Sequence, residues 1–416
     1  MISRKAFLKS AAVSVFSIGM GGIPAFLNRS ALAAGTADAA SRRKILVAIF
    51  QRGAMDGLMA VPPIDDRHLA QLRPQLYMRP GRNSSLIDLD NGFALHPAFR
   101  PFEPYFRDGS LAIVHGIGSP NTTRSHFDAQ DYMESGTPFD KGTSSGWLNR
   151  AVGLSGHDPT PFQALSMTKT MPKSFYGPHP ALAIEKLEDF QIGNATGGAG
   201  VASDGFEAIY METADRLLND TGKESFEAVR MLKSLDIDRY RPSNNARYPN
   251  TPLGQSLRQI ALLIKNDVGL EVAFAESGGW DTHVRQGTEQ GSFANRAADL
   301  SNSIDAFWKD LESWRDRVVV MTMTEFGRTV KENGSGGTDH GRASCMFVLG
   351  EKARGGRVHG SIPTLAPEQL EDARDLPVTT DFRSLFAGVA GSHLDIPDGT
   401  QLFPGWKGNP MNILRG

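Results

Sequence analysis

Short, unbroken apolar runs alternate along this chain with stretches in which apolar residues recur every third or fourth position. The first run, Lys44 to Phe50, reads KILVAIF. Similar runs are Leu111 to Val114, Phe162 to Met167, Glu271 to Ala275, Val318 to Met321 and Cys345 to Leu349. Continuous apolar runs of this length predict strands buried on both faces. Between them, Phe293, Ala297, Leu300, Ile304, Phe307, Trp308 and Leu311 recur at three and four, which predicts an amphipathic helix with one face on a sheet. A second helix is expected to start at Ser125, a preferred cap residue. A last one runs from Thr380 or Asp381 through Phe382, Leu385, Phe386 and Val389 to near Gly391. Strand-helix-strand order with buried strands implies an α/β fold, a three-layer α/β/α sandwich around a largely parallel central sheet.

Three stretches fall outside this rhythm. Residues 1–34 read as a cleavable export signal. Ser3-Arg4-Lys5-Ala6-Phe7-Leu8-Lys9 is basic, Ala11 to Leu27 carries no charge but is broken by Gly19, Gly21, Gly22 and Pro24, and Ala31-Leu32-Ala33 supplies small residues for cleavage. That run is too short and glycine-broken for a stable membrane span. The opening resembles a twin-arginine signal with Lys5 at the second arginine, so an exported, periplasmic protein that meets the export machinery is expected. Residues 44–416 form the main domain, and about 170–265 is a candidate helical cap, with Phe206 to Leu235 and Gly254 to Asn266 as its helices. Pro62 to Asn91, rich in proline, arginine and asparagine, reads as a surface excursion.

Composition narrows the chemistry. The one cysteine, Cys345, excludes an internal disulfide, iron–sulfur clusters and thiolate zinc sites. A net charge of −2 argues against nucleic acid as a partner. No G-x-G-x-x-G follows the first strand, which speaks against a dinucleotide enzyme.

Charged residues gather where the apolar runs stop. In open α/β sheets, ligands bind outside the carboxyl ends of the strands. Arg52 and Asp56 follow the first run. Asp281 and His283 follow the fourth, and Glu325, Arg328, Asp339 and His340 follow the fifth. Asp56, Asp281, His283, Glu325, Asp339 and His340 are candidate ligands of divalent metal, of Mg, Ca, Mn or Zn type. Asp339 has a second reading, as the group that orients an imidazole. Glu325 and Arg328 can equally form a local salt bridge, and Ser125 can be an ordinary helix cap. As a site residue, Ser125 is the candidate nucleophile at a helix amino terminus. His126 or His283 is a candidate proton carrier, and Arg52 or Arg328 a candidate clamp for an oxyanion.

Five motifs in order resemble the exported, uncharacterised domain of unknown function 1501 family: Arg52 to Leu58 (RGAMDGL), Ser125 to Gln130 (SHFDAQ), Gly279 to His283 (GWDTH), Glu325 to Thr329 (EFGRT) and Gly337 to Gly341 (GTDHG). That family is more distantly similar to the alkaline phosphatase and sulfatase superfamily. The resemblance implies an alkaline-phosphatase-like fold with metals at the strand ends and a metal-dependent hydrolase acting on a phosphorylated or sulfated small molecule or polymer. It implies one metal site from Asp281, His283 and His340, and a second, all-oxygen site from Asp56, Ser125 and Glu325. Phe326, where the superfamily has a metal-binding histidine, departs from the pattern. A non-catalytic exported binding or accessory protein on the same fold is the alternative.

Overall fold

A computed structural model describes residues 43–81, 84–89, 91–157, 160–187, 237 and 239–416. The expected export signal and most of the expected cap, including Phe206 to Leu235, lie outside the described residues. Among the described residues, nine strands form the main sheet: β1 (Ile45–Gln51), β2 (Leu111–Gly118), β3 (Ala164–Ser166), β4 (Leu182–Ala183), β5 (Val272–Ser277), β6 (Val318–Met323), β7 (Ser344–Leu349), β8 (Val358–His359) and β9 (Thr380–Asp381). Their order is β8-β2-β7-β6-β1-β5-β3-β4, with β9 also paired to β2. β1 lies at the centre, parallel to both β5 and β6. β7 alone runs against its neighbours β2 and β6.

The apolar runs became strands for the reason their pattern suggests. Along β1, Ile45, Val47 and Ile49 enter one core, while Leu46, Ala48 and Phe50 enter the other. Full burial of each such side chain stabilises by roughly 1.5–3 kcal/mol before entropy is counted. On the first face lie α3 (Pro252–Lys265) and α4 (Ser292–Asp310), which pack on each other. On the second lie α1 (His126–Ser135), α2 (Trp147–Leu154) and α5 (Phe382–His393). The result is the expected three-layer, mostly parallel sandwich.

Several local readings are corrected. β2 does not stop at Val114 but continues through His115 to Gly118, past a bulge between His115 and Ile117. Gly116 takes a φ of 66° there, a left-handed backbone that glycine adopts without strain. The Pro62–Asn91 segment is not merely superficial: it buries Leu69, Leu76 and the guanidinium of Arg73. Within the expected cap, α3 covers the sheet. Trp280, next to Asp281, is a core side chain at 1% exposure, edge-on to Phe293.

Candidate metal centre

The parallel strands β1, β2, β5 and β6 all end at one edge of the sheet. β7 is reversed, so its amino end, with the loop that precedes it, lies at that same edge. His126 opens α1 after β2, Asp281 and His283 follow β5, and His340 precedes β7. The loops approach closely. A Cβ on Gly53 would lie 2.5 Å from the backbone nitrogen of Asp281, and Gly53 also has a φ of 114°.

Three imidazoles converge on one carboxylate oxygen. From Asp281 Oδ1, His283 Nε2 is 3.0 Å away, His340 Nε2 3.3 Å and His126 Nε2 3.4 Å. His283 Nε2 and His340 Nε2 are 2.8 Å apart. Ligands bound at about 2.0–2.1 Å in a tetrahedron are separated by roughly 3.3 Å, so these spacings match the edges of a coordination shell. Among the described residues, His126, Asp281 and His340 form a set whose ligand atoms all lie within 4.8 Å of one another.

The outer nitrogens fix the tautomers. His126 Nδ1 faces Glu325 Oε1 at 2.8 Å, His283 Nδ1 faces Asp339 Oδ1 at 2.9 Å, and His340 Nδ1 faces the Arg124 carbonyl at 2.8 Å. A carboxylate and a carbonyl only accept, so each Nδ1 carries the proton and donates it. In the neutral rings, each Nε2 therefore presents a lone pair to the cluster. Two lone pairs 2.8 Å apart repel unless a cation lies between them. His126 Nε2 is buried and has no hydrogen-bond partner. This donor set fits a divalent metal ion, with each imidazole held from behind by an oxygen acceptor.

The electrostatics agree. Burial works against the charge of Asp281, but the hydrogen bond and charge of Arg328 hold its carboxyl below the usual range. Burial likewise opposes the charge of Glu325, yet hydrogen bonds from His126 and Gln130 keep it ionised. Asn333 and His283 hold Asp339 low. The Glu325 hydrogen bond raises His126, whereas burial lowers His340. Phe326 lines the centre, its ring 4.9 Å from that of His126 and 5.0 Å from that of His340.

Other expected site residues take different positions. Asp56 is not brought to the cluster. Arg73 binds both its oxygens at 2.8 and 3.1 Å, Gln286 Nε2 donates to it at 2.7 Å, and it caps the one-turn helix Gly57–Ala60 through Met59 N–H. Glu325 Oε1 accepts from His126, Gln130 and Gly53 N–H, and Oε2 from Thr324. With its oxygens so engaged, Glu325 stands behind His126, while Asp56 is held by Arg73 and Gln286. Asp339 stands behind His283 in the same way.

Arg328 is 1% exposed and donates to the carbonyls of Ala54, Thr338, Gly53 and Trp280 as well as to Asp281. It buckles three loops together, and its donors are engaged within the protein. Arg52 pairs with Glu134 and Glu276, each at 2.7 Å, and reaches Glu325 only through Gln130. Ser125 is the N-cap of α1, is exposed, and makes no side-chain cap bond. Sequence reasoning missed His126 as a member of the cluster and Phe326 as its wall. The pairing of a histidine at a helix start with a buried glutamate was the signal available.

No curated protein matches the chain. Among solved structures, the C-terminal periplasmic domain of EcEptC from Escherichia coli, in complex with Zn, is similar at 9% identity, a TM-score of 0.36 and 74% coverage of each chain. Ps i-CgsB in complex with k-i-k-neocarrahexaose is similar at 9% identity and a TM-score of 0.39, over 87% of this chain and 74% of that one. The PH0037 protein from Pyrococcus horikoshii is similar at 12% identity and a TM-score of 0.28, over 74% and 88%. These overlaps are low and bear on no residue of the site. The family match is of another kind, for it spans residues 112–402 and takes in His126, the Asp281 turn, Glu325 and His340 together: the chain belongs to the family described as Protein of unknown function (DUF1501).

Proposed function

We propose that this protein is an exported, metal-dependent hydrolase of phosphate or sulfate esters. One observation carries the proposal: three Nε2 atoms lie within 3.4 Å of Asp281 Oδ1, each imidazole fixed from behind. His126, His283, His340 and Asp281 would hold the ion. A mixed nitrogen and oxygen set suits Zn²⁺ or a similar borderline ion better than Mg²⁺ or Ca²⁺. When bound, the ion supplies a Lewis acid for the oxygens of the ester.

Ser125 is the nucleophile. Its exposed hydroxyl stands at the amino terminus of the ten-residue α1, where N–H groups favour a developing alkoxide and an anionic group. The serine oxygen bonds to phosphorus or sulfur as the bond to the leaving oxygen breaks, and water then releases the acid. With Nε2 of His126 and His283 directed at the centre, the serine proton passes to solvent at this exposed face. The basic opening of the chain, from Ser3 to Lys9, supports export by the folded-protein route.

A second reading, metal-dependent binding without turnover, is favoured by the engagement of Arg52 and Arg328, which leaves neither as a ready clamp. Elemental analysis of protein purified without chelator, paired with an aryl phosphate and aryl sulfate screen, separates the two. One divalent ion per chain, lost in Asp281→Ala and His340→Ala, with ester turnover, is the expected result. Metal without turnover selects the binding reading, and no metal after titration removes both.

A further inference from the structure

Asp281 and His283 flank Thr282 on one loop, and Thr338 precedes Asp339 and His340 on another. Both threonine hydroxyls donate to the same atom, Gln286 Oε1, each at 2.8 Å. The two loops also meet through Thr338 N–H, which donates to the Thr282 carbonyl at 3.2 Å. On its other side, the Gln286 amide donates to Asp56 Oδ2 at 2.7 Å. Asp56 is clamped by Arg73, and Arg73 donates in turn to the carbonyls of Thr329 and Val330 at 2.9 and 2.8 Å. Thr329 closes the circuit: its N–H donates to the Asp339 carbonyl at 2.9 Å, and its hydroxyl accepts from Asp339 N–H at 3.1 Å. Gln286, Thr338, Asp56 and Arg73 are each at most 1% exposed, and Thr282 is 4% exposed.

We propose that Gln286 is a positioning residue for the metal centre, pinning the Asp281–His283 loop and the Asp339–His340 loop in one register against the buried Asp56–Arg73 pair. This rests on the metal-centre reading. The chemistry requires a carboxamide. Its oxygen takes two hydroxyl protons and its nitrogen gives one to a carboxylate, so a glutamate of nearly the same shape would set a second carboxylate against Asp56. Asp56 thereby has a function in the site although it does not reach it. Buried and fully satisfied, such a network is rigid, and rigidity holds the two loops in one fixed register.

The test is Co²⁺ titration of the chelator-treated full chain, followed by the visible absorption of the bound ion, alongside thermal unfolding of the metal-free protein. The variants are Gln286→Glu, Thr338→Val, which removes only one hydroxyl, and Tyr248→Phe. Tyr248 donates to Asp310 at 2.8 Å, away from the centre, and serves as a control for general loss of stability. Expected is a fall in Co²⁺ affinity of about 10- to 100-fold in Gln286→Glu, with a changed absorption band, and a smaller fall in Thr338→Val. Tyr248→Phe should lower the melting temperature and leave affinity and spectrum alone. If Gln286→Glu fails to fold, Thr338→Val decides. Wild-type affinity and spectrum in a folded Gln286→Glu or in Thr338→Val would overturn the assignment. A wild-type chain that takes up no Co²⁺ would instead remove the metal centre itself.

Discussion

Glu325 holds His126 across most of the chain: the imidazole Nδ1 lies 2.8 Å from the carboxylate Oε1, although the residues are 199 positions apart. The same oxygen accepts the amide of Gln130 and the backbone N–H of Gly53, both at 2.9 Å. Three donors on one atom explain why the buried carboxylate stays ionised. Glu325→Gln would set a terminal NH₂ among those donors, turning or expelling the imidazole. We expect metal affinity about 10- to 100-fold weaker, read by competition with a chromophoric chelator. Unchanged affinity would mean that Glu325 has no part in aiming His126.

Ser125→Ala separates chemistry from structure. The serine is exposed and its hydroxyl caps nothing, so the variant should unfold within about 0.5 kcal/mol of the parent. Metal content should be unchanged, while hydrolysis of the best ester falls at least a thousand-fold, roughly 4 kcal/mol of activation energy. Full turnover in this variant would end its assignment as nucleophile.

Stability should fall as the solution is acidified through a window set by two buried histidines. Burial pushes both His115 and His393 down to about 4. Their rings are held neutral: His115 Nε2 donates to the Val61 carbonyl at 3.1 Å while Nδ1 accepts Gly116 N–H at 2.8 Å. His393 Nε2 donates to the Ile45 carbonyl at 3.0 Å. An unfolded histidine titrates near 6.5, so between about 6.5 and 4 the unfolded chain binds more protons. The contribution is complete above about pH 6.5 and declines as pH drops toward 4, by up to about 3 kcal/mol per histidine. Urea unfolding of metal-free protein at pH 7, 5.5 and 4.5 measures it, and His115→Gln should flatten the profile. An equally steep profile in that variant would clear His115 of the effect.

What the sequence made legible follows from how local each feature is. Strands buried on two faces leave unbroken apolar runs, so β1, β6 and β7 could be placed from Lys44–Phe50, Val318–Met321 and Cys345–Leu349. The direction of β7 could not, because antiparallel and parallel strands carry the same run. Direction is what sets His340 at the edge where β5 delivers Asp281. Residue types announced a metal centre, but role depends on which atom faces which. Glu325 and Asp339 look like ligands in the sequence but in the fold hydrogen-bond the backs of His126 and His283, whose Nε2 atoms face Asp281. Asp56 was read as a ligand because it follows the first strand, and its partner Arg73 sits in a stretch with every mark of a surface loop. Whether a carboxylate meets a metal or a guanidinium is decided by tertiary contact.

The carbonyl of Arg124 and the imidazole of His340 that it orients are 216 residues apart, and Gly53 and Glu325 are 272 apart. Contacts of that span close late, since loop entropy must be overcome before they form. A partly folded or truncated chain thus has scattered imidazoles and no place for an ion. Any ion held there would be taken up only by a chain that has already folded completely.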